Sequence, residues 1–418
     1  MGTKITLTNA QTLTVNRNIR IRAKSRYNCI VLNIACYKVD ESTVLTSPIT
    51  SFKATIGKNF HVDNAKAPVI SGYDFVMASP NDFTVTEAHN NTTIKLYYIT
   101  SGVTDRSKTT WTSTDTSAAT GDLSKTEKYN TFAATTMISM FNANTKITKA
   151  PKMNTSLVNN MAGMFYNCTA LTEVPLYDTS KNTTFLQFFY NTKIVTSPKF
   201  NTSNATTIES MFDNCTLLTN APELDTSKVT NMGSTFSRCT SLVSIPKLNT
   251  SSVTYMGHMF QGCVVLKNIP TINASKVTDM SYMFHSCTAL VNAPDLVSTA
   301  NVLRMDYMFY NCTVLTTLPV LNTSKVTDMN NMFYNCISLA SIPKMDTSKV
   351  TNMSNMFYGC SSLVNISWEI DMKSCTNCAN MFTSCTNLTG VKLKNVPTSL
   401  SLTNIGLTTD KYTIINRV

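Results

Sequence analysis

Asp346-Thr347-Ser348-Lys349-Val350-Thr351-Asn352-Met353-Ser354-Asn355-Met356-Phe357-Tyr358-Gly359-Cys360 is the stretch from which the rest of the chain can be read. Val350, Met353, Met356, Phe357 and Cys360 follow one another at spacings of three, three, one and three, which predicts one apolar face of a short helix. Asp346, Thr347 or Ser348 is expected to cap the free N–H groups at its start. The neighbouring copy continues as Leu339-Ala340-Ser341-Ile342-Pro343-Lys344-Met345, where proline permits only a short extended piece followed by a turn.

The phrase returns. Its phenylalanine falls at Phe141, Phe165, Phe189, Phe212, Phe236, Phe260, Phe284, Phe309, Phe333, Phe357 and Phe382, at intervals of 23, 24 or 25 residues. A period of this length marks a solenoid, whose units bury their apolar faces only against one another. Strands stack about 4.8 Å apart and helices about 8–10 Å apart, so strand-plus-helix units are expected to bend into a horseshoe with the strands inside.

Set in register, most of the phrase reads as core. Met161, Ile208, Met232, Met256, Met280, Met305, Met329 and Met353 form one inward line, and Met153, Tyr177, Phe200, Leu224, Leu248, Ile272, Leu296, Leu321 and Met345 form another, two residues after the proline position. Nine of the 13 cysteines lie three residues after the repeat phenylalanine, from Cys168 to Cys385, and read as free buried thiols. Cys375-x2-Cys378, with Cys385 close by, has metal-ligand spacing. In register, however, the pair stands where Val350 and Met353 stand, and a disulfide is the stronger alternative to zinc in an oxidising compartment. No metal or cofactor is expected.

Asn322-Thr323-Ser324-Lys325-Val326-Thr327-Asp328-Met329-Asn330-Asn331-Met332-Phe333-Tyr334-Asn335-Cys336-Ile337-Ser338-Leu339 closely resembles the BspA-like branch of leucine-rich repeats, and the resemblance covers roughly residues 136–388. It implies a leucine-rich-repeat solenoid and, from the family's bacterial surface and viral members, a role in adhesion or host contact. The matching positions are structural, so the resemblance implies no ligand.

Upstream, residues 5–7, 12–15, 19–23, 29–37, 52–56, 69–77, 83–86 and 94–99 form short apolar or alternating runs between polar turns, which predict a β-sandwich-like domain over residues 1–101. Cys29 and Cys36, seven positions apart in one such run, point to opposite faces and do not pair. Residues 102–135 are polar and read as a linker or adaptor, with Trp111 plugging the first coil. After Leu388 the phrase stops, and residues 389–418 are expected to cap the array with strands near Val391 and Tyr412. The expected class is therefore α+β: an all-β anchoring or oligomerisation domain, then about eleven repeats and a cap.

Charged residues make up only 14% of the chain, and its net charge of +11 is spread thinly: 15 Lys and Arg against 10 acids in residues 1–130, then 20 against 14. Nucleic-acid binding needs a basic stripe, and none is present. Arg17, Arg20, Arg22, Lys24 and Arg26 alternate with other residues and read as a strand's solvated face, with a ligand patch as the alternative. No run of 18 apolar residues marks a membrane span, and the start Met1-Gly2-Thr3-Lys4-Ile5-Thr6 has no secretion-signal core, although it fits the loose myristoylation pattern. With four histidines and no paired acidic motif, catalysis has no evident machinery, and no enzyme is expected.

Recognition then falls to variable positions. One line beside the prolines carries Lys152, Lys199, Lys247 and Lys344, suited to an acidic glycan or protein, or simply to solvation. A second follows the repeat phenylalanine at Tyr166 and Tyr190 and on consecutive coils at Tyr310, Tyr334 and Tyr358, which suit partner contact or packing against the turn. The expected function is a non-enzymatic recognition or structural protein on a virion surface, such as a phage fibre or decoration protein. It would meet a host-surface protein or glycan, with residues 1–101 joining other virion proteins or further copies of the chain. A bacterial cell-surface adhesin and an intracellular scaffold are the alternatives.

Overall fold

The computed structural model describes residues 29–38, 44–45, 47, 49, 51–62, 66–68, 70, 73–79, 83–100, 108–126, 128–129 and 131–418. The expectations for residues 5–7, 12–15 and 19–23, for the Arg17–Arg26 cluster and for the chain start lie outside these residues.

Alternating apolar residues build the first unit from strands β1 (Cys29–Lys38), β2 (Val44–Leu45), β3 (Ser51–Thr55), β4 (Asn59–Phe60), β5 (Tyr73–Ser79), β6 (Phe83–Thr84) and β7 (Thr93–Thr100). β1 is flanked by β2 and β3 on one edge and by β7 on the other, and β5 completes the sheet beyond β7. β4 and β6 form a separate two-stranded ribbon. The β1–β7 pair is parallel, a pairing that the antiparallel strands of a simple sandwich do not contain. Leu32, Cys36, Phe52, Phe60, Val85, Ile94 and Leu96 fill the core. This unit touches the array where Asn154 Nδ2 donates to the Phe75 carbonyl oxygen at 2.9 Å and where His61 Nε2 lies 2.9 Å from Asp178 Oδ2. Burial alone raises the Asp178 carboxyl, but the hydrogen bond and charge of His61 outweigh it and hold the group below the usual range.

The repeats contain no α-helix among the described residues, whose helical turns are limited to 3-10 segments at Glu87–His89 and Ser113–Thr116. The predicted helical return is instead a series of tight turns, so the α+β class gives way to a nearly all-β solenoid. In one coil the N–H groups of Met353, Asn355, Phe357 and Gly359 donate to the carbonyls of Asn377, Ala379, Met381 and Thr383 in the next coil, at 2.8–2.9 Å. The intervening Met356, Tyr358 and Cys360 donate three residues back within their own coil, to Met353, Asn355 and Phe357. Alternate amides therefore point along the solenoid axis and across the turn, and every one of them is paired.

Left-handed residues make this alternation possible. Asn355 and Gly359 have φ of 54° and 74°, and all eleven copies repeat the pair, from Ser139 and Ala143 to Asn380 and Ser384. Asn, Ser and Gly are poor helix formers, and Gly and Asn enter this region at low cost. Successive three-residue turns satisfy the same three-three-one-three apolar spacing as a helix does, so burial could not tell them apart. Backbone hydrogen bonds and single-residue bridges join successive coils directly in both halves, so the helix-wide spacing on which the horseshoe expectation rests has no helix to supply it.

The Asp-Thr-Ser phrase caps no helix either. Asp346 Oδ1 accepts from the Ser348 N–H at 3.0 Å and from its hydroxyl at 2.7 Å, closing a side-chain turn. Thr347 is buried and bridges to Asp371 of the next coil through both its lone pair and its proton, each at 2.9 Å.

One-residue parallel bridges run from Thr110 to Thr136 and Asn160, and from Thr184 through Asn231, Tyr255, Arg304 and Asn352 to Asn377. Short parallel pairs join β8 (Gly121–Asp122) to β9 (Ile147–Lys149) and β10 (Ile272–Asn273) to β11 (Leu296–Val297). At the far end, β12 (Glu369–Asp371), β13 (Val391–Lys394) and β14 (Tyr412–Ile414) form one parallel sheet, with strands where Val391 and Tyr412 predict them. Counting the turn at residues 110–116, the array has about twelve turns. Its axis is a stack of the eleven repeat phenylalanines, each buried, with Tyr129 packed edge-on over Phe141 and Trp111 edge-on against Tyr129.

The cysteine ladder is built into this stack. Cys239, Cys263, Cys287 and Cys336 each donate a thiol hydrogen bond to the carbonyl of the preceding coil's phenylalanine at 3.1 Å, and the other ladder members do the same. Burial pushes the Cys168, Cys215, Cys312 and Cys385 thiols up to about 12.

Candidate functional site: an aromatic strip across the coils

Tyr310, Tyr334 and Tyr358 stand on successive coils, one residue after the stacked core phenylalanine. That register fixes their separation at one coil. Their rings stack at 4.6 Å between centroids, tilted by 10° and 5°, and His285 extends the row at 4.6 Å. None of the three hydroxyls has a hydrogen-bond partner among the described residues.

A second row lies beside the first. His258, Tyr282 and Tyr307 stack at 4.6 and 4.5 Å, and Tyr282 and Tyr307 meet His285 and Tyr310 at 5.6 and 5.5 Å. The seven rings form one continuous, half-buried strip. Sequence reasoning missed this second row because its residues sit two before the repeat phenylalanine, a position hidden on a helix but turned outward by the left-handed backbone. Tyrosine two residues before Phe284 and Phe309 was the available signal.

The first row also runs back toward the start of the array. His258 Nδ1 lies 2.8 Å from Gln261 Oε1, Arg238 holds Asp213 at 2.9 Å, and the Arg238 guanidinium reaches the Tyr190 hydroxyl at 3.5 Å. Tyr190 in turn stacks on Tyr166 at 4.6 Å. Burial raises the Asp213 carboxyl despite Arg238, lowers the His285 imidazole and raises the Tyr334 hydroxyl, whose tyrosine neighbours add to the effect.

Stacking at this distance covers the ring faces. A partner therefore meets ring edges, tyrosine hydroxyls and imidazole nitrogens, a set that donates hydrogen bonds and makes amphipathic contacts.

The lysines beside the prolines belong to another part of the coil and do not join the strip. Lys152 Nζ lies 4.3 Å above the Tyr97 ring of the first unit, and Lys199 is ion-paired with Glu223. Lys199, Glu223 and Lys247 line an open cleft of about 770 Å³ that also includes Asn59, while Lys344 is exposed further along the array. The histidines each have a local contact: His61 with Asp178, His89 with Thr86, His258 with Gln261, and His285 within the stack. Among the described residues no three His, Cys, Asp or Glu side chains converge as a metal site, and no helix is long and apolar enough to cross a membrane.

A family described as "Mycoplasma protein of unknown function, DUF285" matches residues 110–223, 218–318 and 305–399, together well over half of the chain. The chain belongs to the DUF285 family. The DUF285 matches begin at the Trp111 turn and end between β13 and β14. No curated protein matches the chain. Among solved structures, a leucine-rich repeat protein from Eubacterium ventriosum is similar at 19% identity, covering 69% of this chain and 92% of that one, with a TM-score of 0.37. A TLR13–ssRNA13 complex is similar at 14% identity, covering 65% and 39%, with a TM-score of 0.28.

Proposed function

We infer that this DUF285 chain is a non-enzymatic recognition module that meets its partner through the strip from His258 to Tyr358. The observation that carries this reading is the placement of aromatic rings where the coil does not need them. Positions equivalent to Tyr282 and Tyr307 hold Ser139, Gly163, Ser210, Ser234, Asn331 and Asn355 in other coils, and all have positive φ. A bulky residue there has a cost of about 1–3 kcal/mol that a serine, glycine or asparagine largely avoids. The positions of Tyr310, Tyr334 and Tyr358 likewise hold Asn142, Asp213, Ser237 and Gln261 elsewhere. Rings kept at both positions over consecutive coils point to a contact surface.

The covered ring faces favour a protein partner over a glycan, since sugars stack on open faces. The histidines support the non-enzymatic reading, because each is held by a local contact. The repeats are of the BspA-like type on the motif at residues 322–339. The virion-surface setting is carried over from the surface-like, weakly charged composition, with a bacterial cell surface as the alternative, and the family description, which gives no function, favours neither. The test is an array of cell-surface proteins and glycans probed with the full chain and with Tyr334→Ala. Binding that falls at least tenfold in the variant supports the strip, and equal binding by both removes it.

A further inference from the structure

Five lysines scattered through the sequence form no Lys/Arg run, yet the solenoid brings them into one line. Lys181, Lys228, Lys276, Lys325 and Lys349 hold the same place in their coils, each two residues before a threonine, and lysine and threonine are exposed in all five. Buried Val229, Val277, Val326 or Val350 separates the pair in four of them, so both neighbours face outward. The intervening coils carry Asn204, Ser252 and Asn301 at the lysine's place, and no coil from Lys181 to Lys349 carries an acid there.

Side-chain bonds along the axis hold the row together. Asn204 Nδ2 donates to the Ser180 carbonyl at 2.8 Å, and Lys228 Nζ donates to Asn204 Oδ1 at 2.7 Å. Asn301 bonds Ser275 and Lys325 bonds Asn301 in the same way, both at 2.8 Å, and the Ser252 hydroxyl reaches the Ser227 carbonyl at 3.1 Å. Beside this row runs the threonine row, in which the N–H groups of Thr206, Thr230, Thr254 and Thr278 each donate to the preceding coil's threonine at 2.8–2.9 Å. Their hydroxyls donate to the same carbonyls, which leaves the hydroxyl oxygens as acceptors. With strands stacked about 4.8 Å apart, Lys228, Lys276 and Lys325 stand two coils, or about 10 Å, from one another.

Elsewhere on the array Lys149 and Lys199 are ion-paired with Glu173 and Glu223, but none of the five row lysines has an ion pair among the described residues. The acids nearest the row are engaged in their own turns: Asp225 and Asp346 accept from Ser227 and Ser348 at 3.0 Å, and Asp279 and Asp328 accept from Ser281 and Asn330 at 2.8 and 3.0 Å. Asp178 faces His61.

We propose that the lysine and threonine rows bind a linear acidic polysaccharide laid along the solenoid axis. Its carboxylate or sulfate groups meet the lysines, and its hydroxyls meet the threonine oxygens. Evenly spaced cations suit a polymer whose anions recur evenly. Neither row contains an aromatic ring on which a base could stack, which favours a polysaccharide over single-stranded nucleic acid. This surface is separate from the aromatic strip, and binding to it does not depend on Tyr334.

The test is the affinity of the full chain for polygalacturonate and for dextran sulfate over a salt series, with dextran and poly-dT as companions. The chain is expected to bind one or both acidic polysaccharides and not dextran, and the stronger of the two identifies the anion. Combining Lys228→Gln, Lys276→Gln and Lys325→Gln is expected to weaken that binding by about tenfold at low salt and to flatten its salt dependence. Lys199→Gln, Lys247→Gln and Lys344→Gln together remove the same charge outside the row and are expected to leave it unchanged. An equal loss in both triple variants overturns the proposal, as does failure to bind either acidic polysaccharide at low salt or tighter binding of poly-dT. Should the row variant lose its wild-type thermal transition, acetylation footprinting of the wild-type chain decides: bound polymer is expected to protect Lys228, Lys276 and Lys325 but not Lys247 or Lys344, and equal protection of all five sinks the idea.

Discussion

The Cys336 thiol donates to the Phe309 carbonyl oxygen, 27 residues back, at 3.1 Å. That carbonyl also accepts the Cys312 N–H, so the thiol fills its second lone pair and ties one coil to the next. Cys336→Ala removes the bond and leaves a small cavity, for an expected loss of about 1–2 kcal/mol in denaturant unfolding. Thr192 holds the equivalent position in an earlier coil, 3.4 Å from Cys215 Sγ, so Cys336→Thr is expected to cost less than Cys336→Ala.

Asn355 tests the turn architecture. Its φ of 54° suits Gly or Asn and is hostile to a β-branched residue. Asn355→Val is expected to lower stability by about 1–2 kcal/mol, whereas Asn355→Gly changes it by a few tenths. A helix at this site would reverse the order, since valine is the better helix former of the two. Equilibrium unfolding of both variants gives the answer.

Burial could be read residue by residue: the Met line, the cysteine ladder, the position after proline and the inward place of Cys375 and Cys378 all follow from register. Backbone conformation could not, because Met353, Met356, Phe357 and Cys360 face inward from a helix and from successive turns alike. The deciding signal was the polar pair Asn355 and Gly359, repeated as Asn331 and Asn335, which marks left-handed turns. Missing it also hid Tyr282 and Tyr307. The row of Tyr310, Tyr334 and Tyr358 was legible because it needed only the repeat count.

Thr347 carries a bond that no apolar residue replaces. Its hydroxyl donates to the Asp371 carbonyl and accepts the Asp371 N–H, both at 2.9 Å. Thr347→Val keeps the shape and strands two backbone groups, for an expected cost of about 2–3 kcal/mol. Thr323 makes the same pair with Asp346, so Thr323→Val is expected to cost a similar amount in the same unfolding assay.

Acid stability follows from the side-chain turns. The hydroxyl and N–H of Ser227 hold the Asp225 carboxyl below its ordinary value, and Ser348 does the same for Asp346. A carboxyl with a depressed folded value contributes stability above its unfolded value, about 3.9, and loses that contribution as pH falls through the folded value. The array is expected to weaken below about pH 4. Asn322 accepts from Ser324 at 3.1 Å in the same turn, so Asp225→Asn with Asp346→Asn keeps the fold and flattens the acid limb of a thermal-unfolding series.

The proposed recognition role requires that the aromatic strip be dispensable for the fold. Tyr310→Asn, Tyr334→Asn and Tyr358→Asn combined in one chain place at each site the residue that Asn142 already supplies in an earlier coil. The decisive measurement is the binding of this triple variant to the array of cell-surface proteins and glycans, with its cooperative thermal transition confirmed beforehand. The account predicts a folded protein that has lost the wild-type binding signals. A folded variant that retains all of them would contradict it.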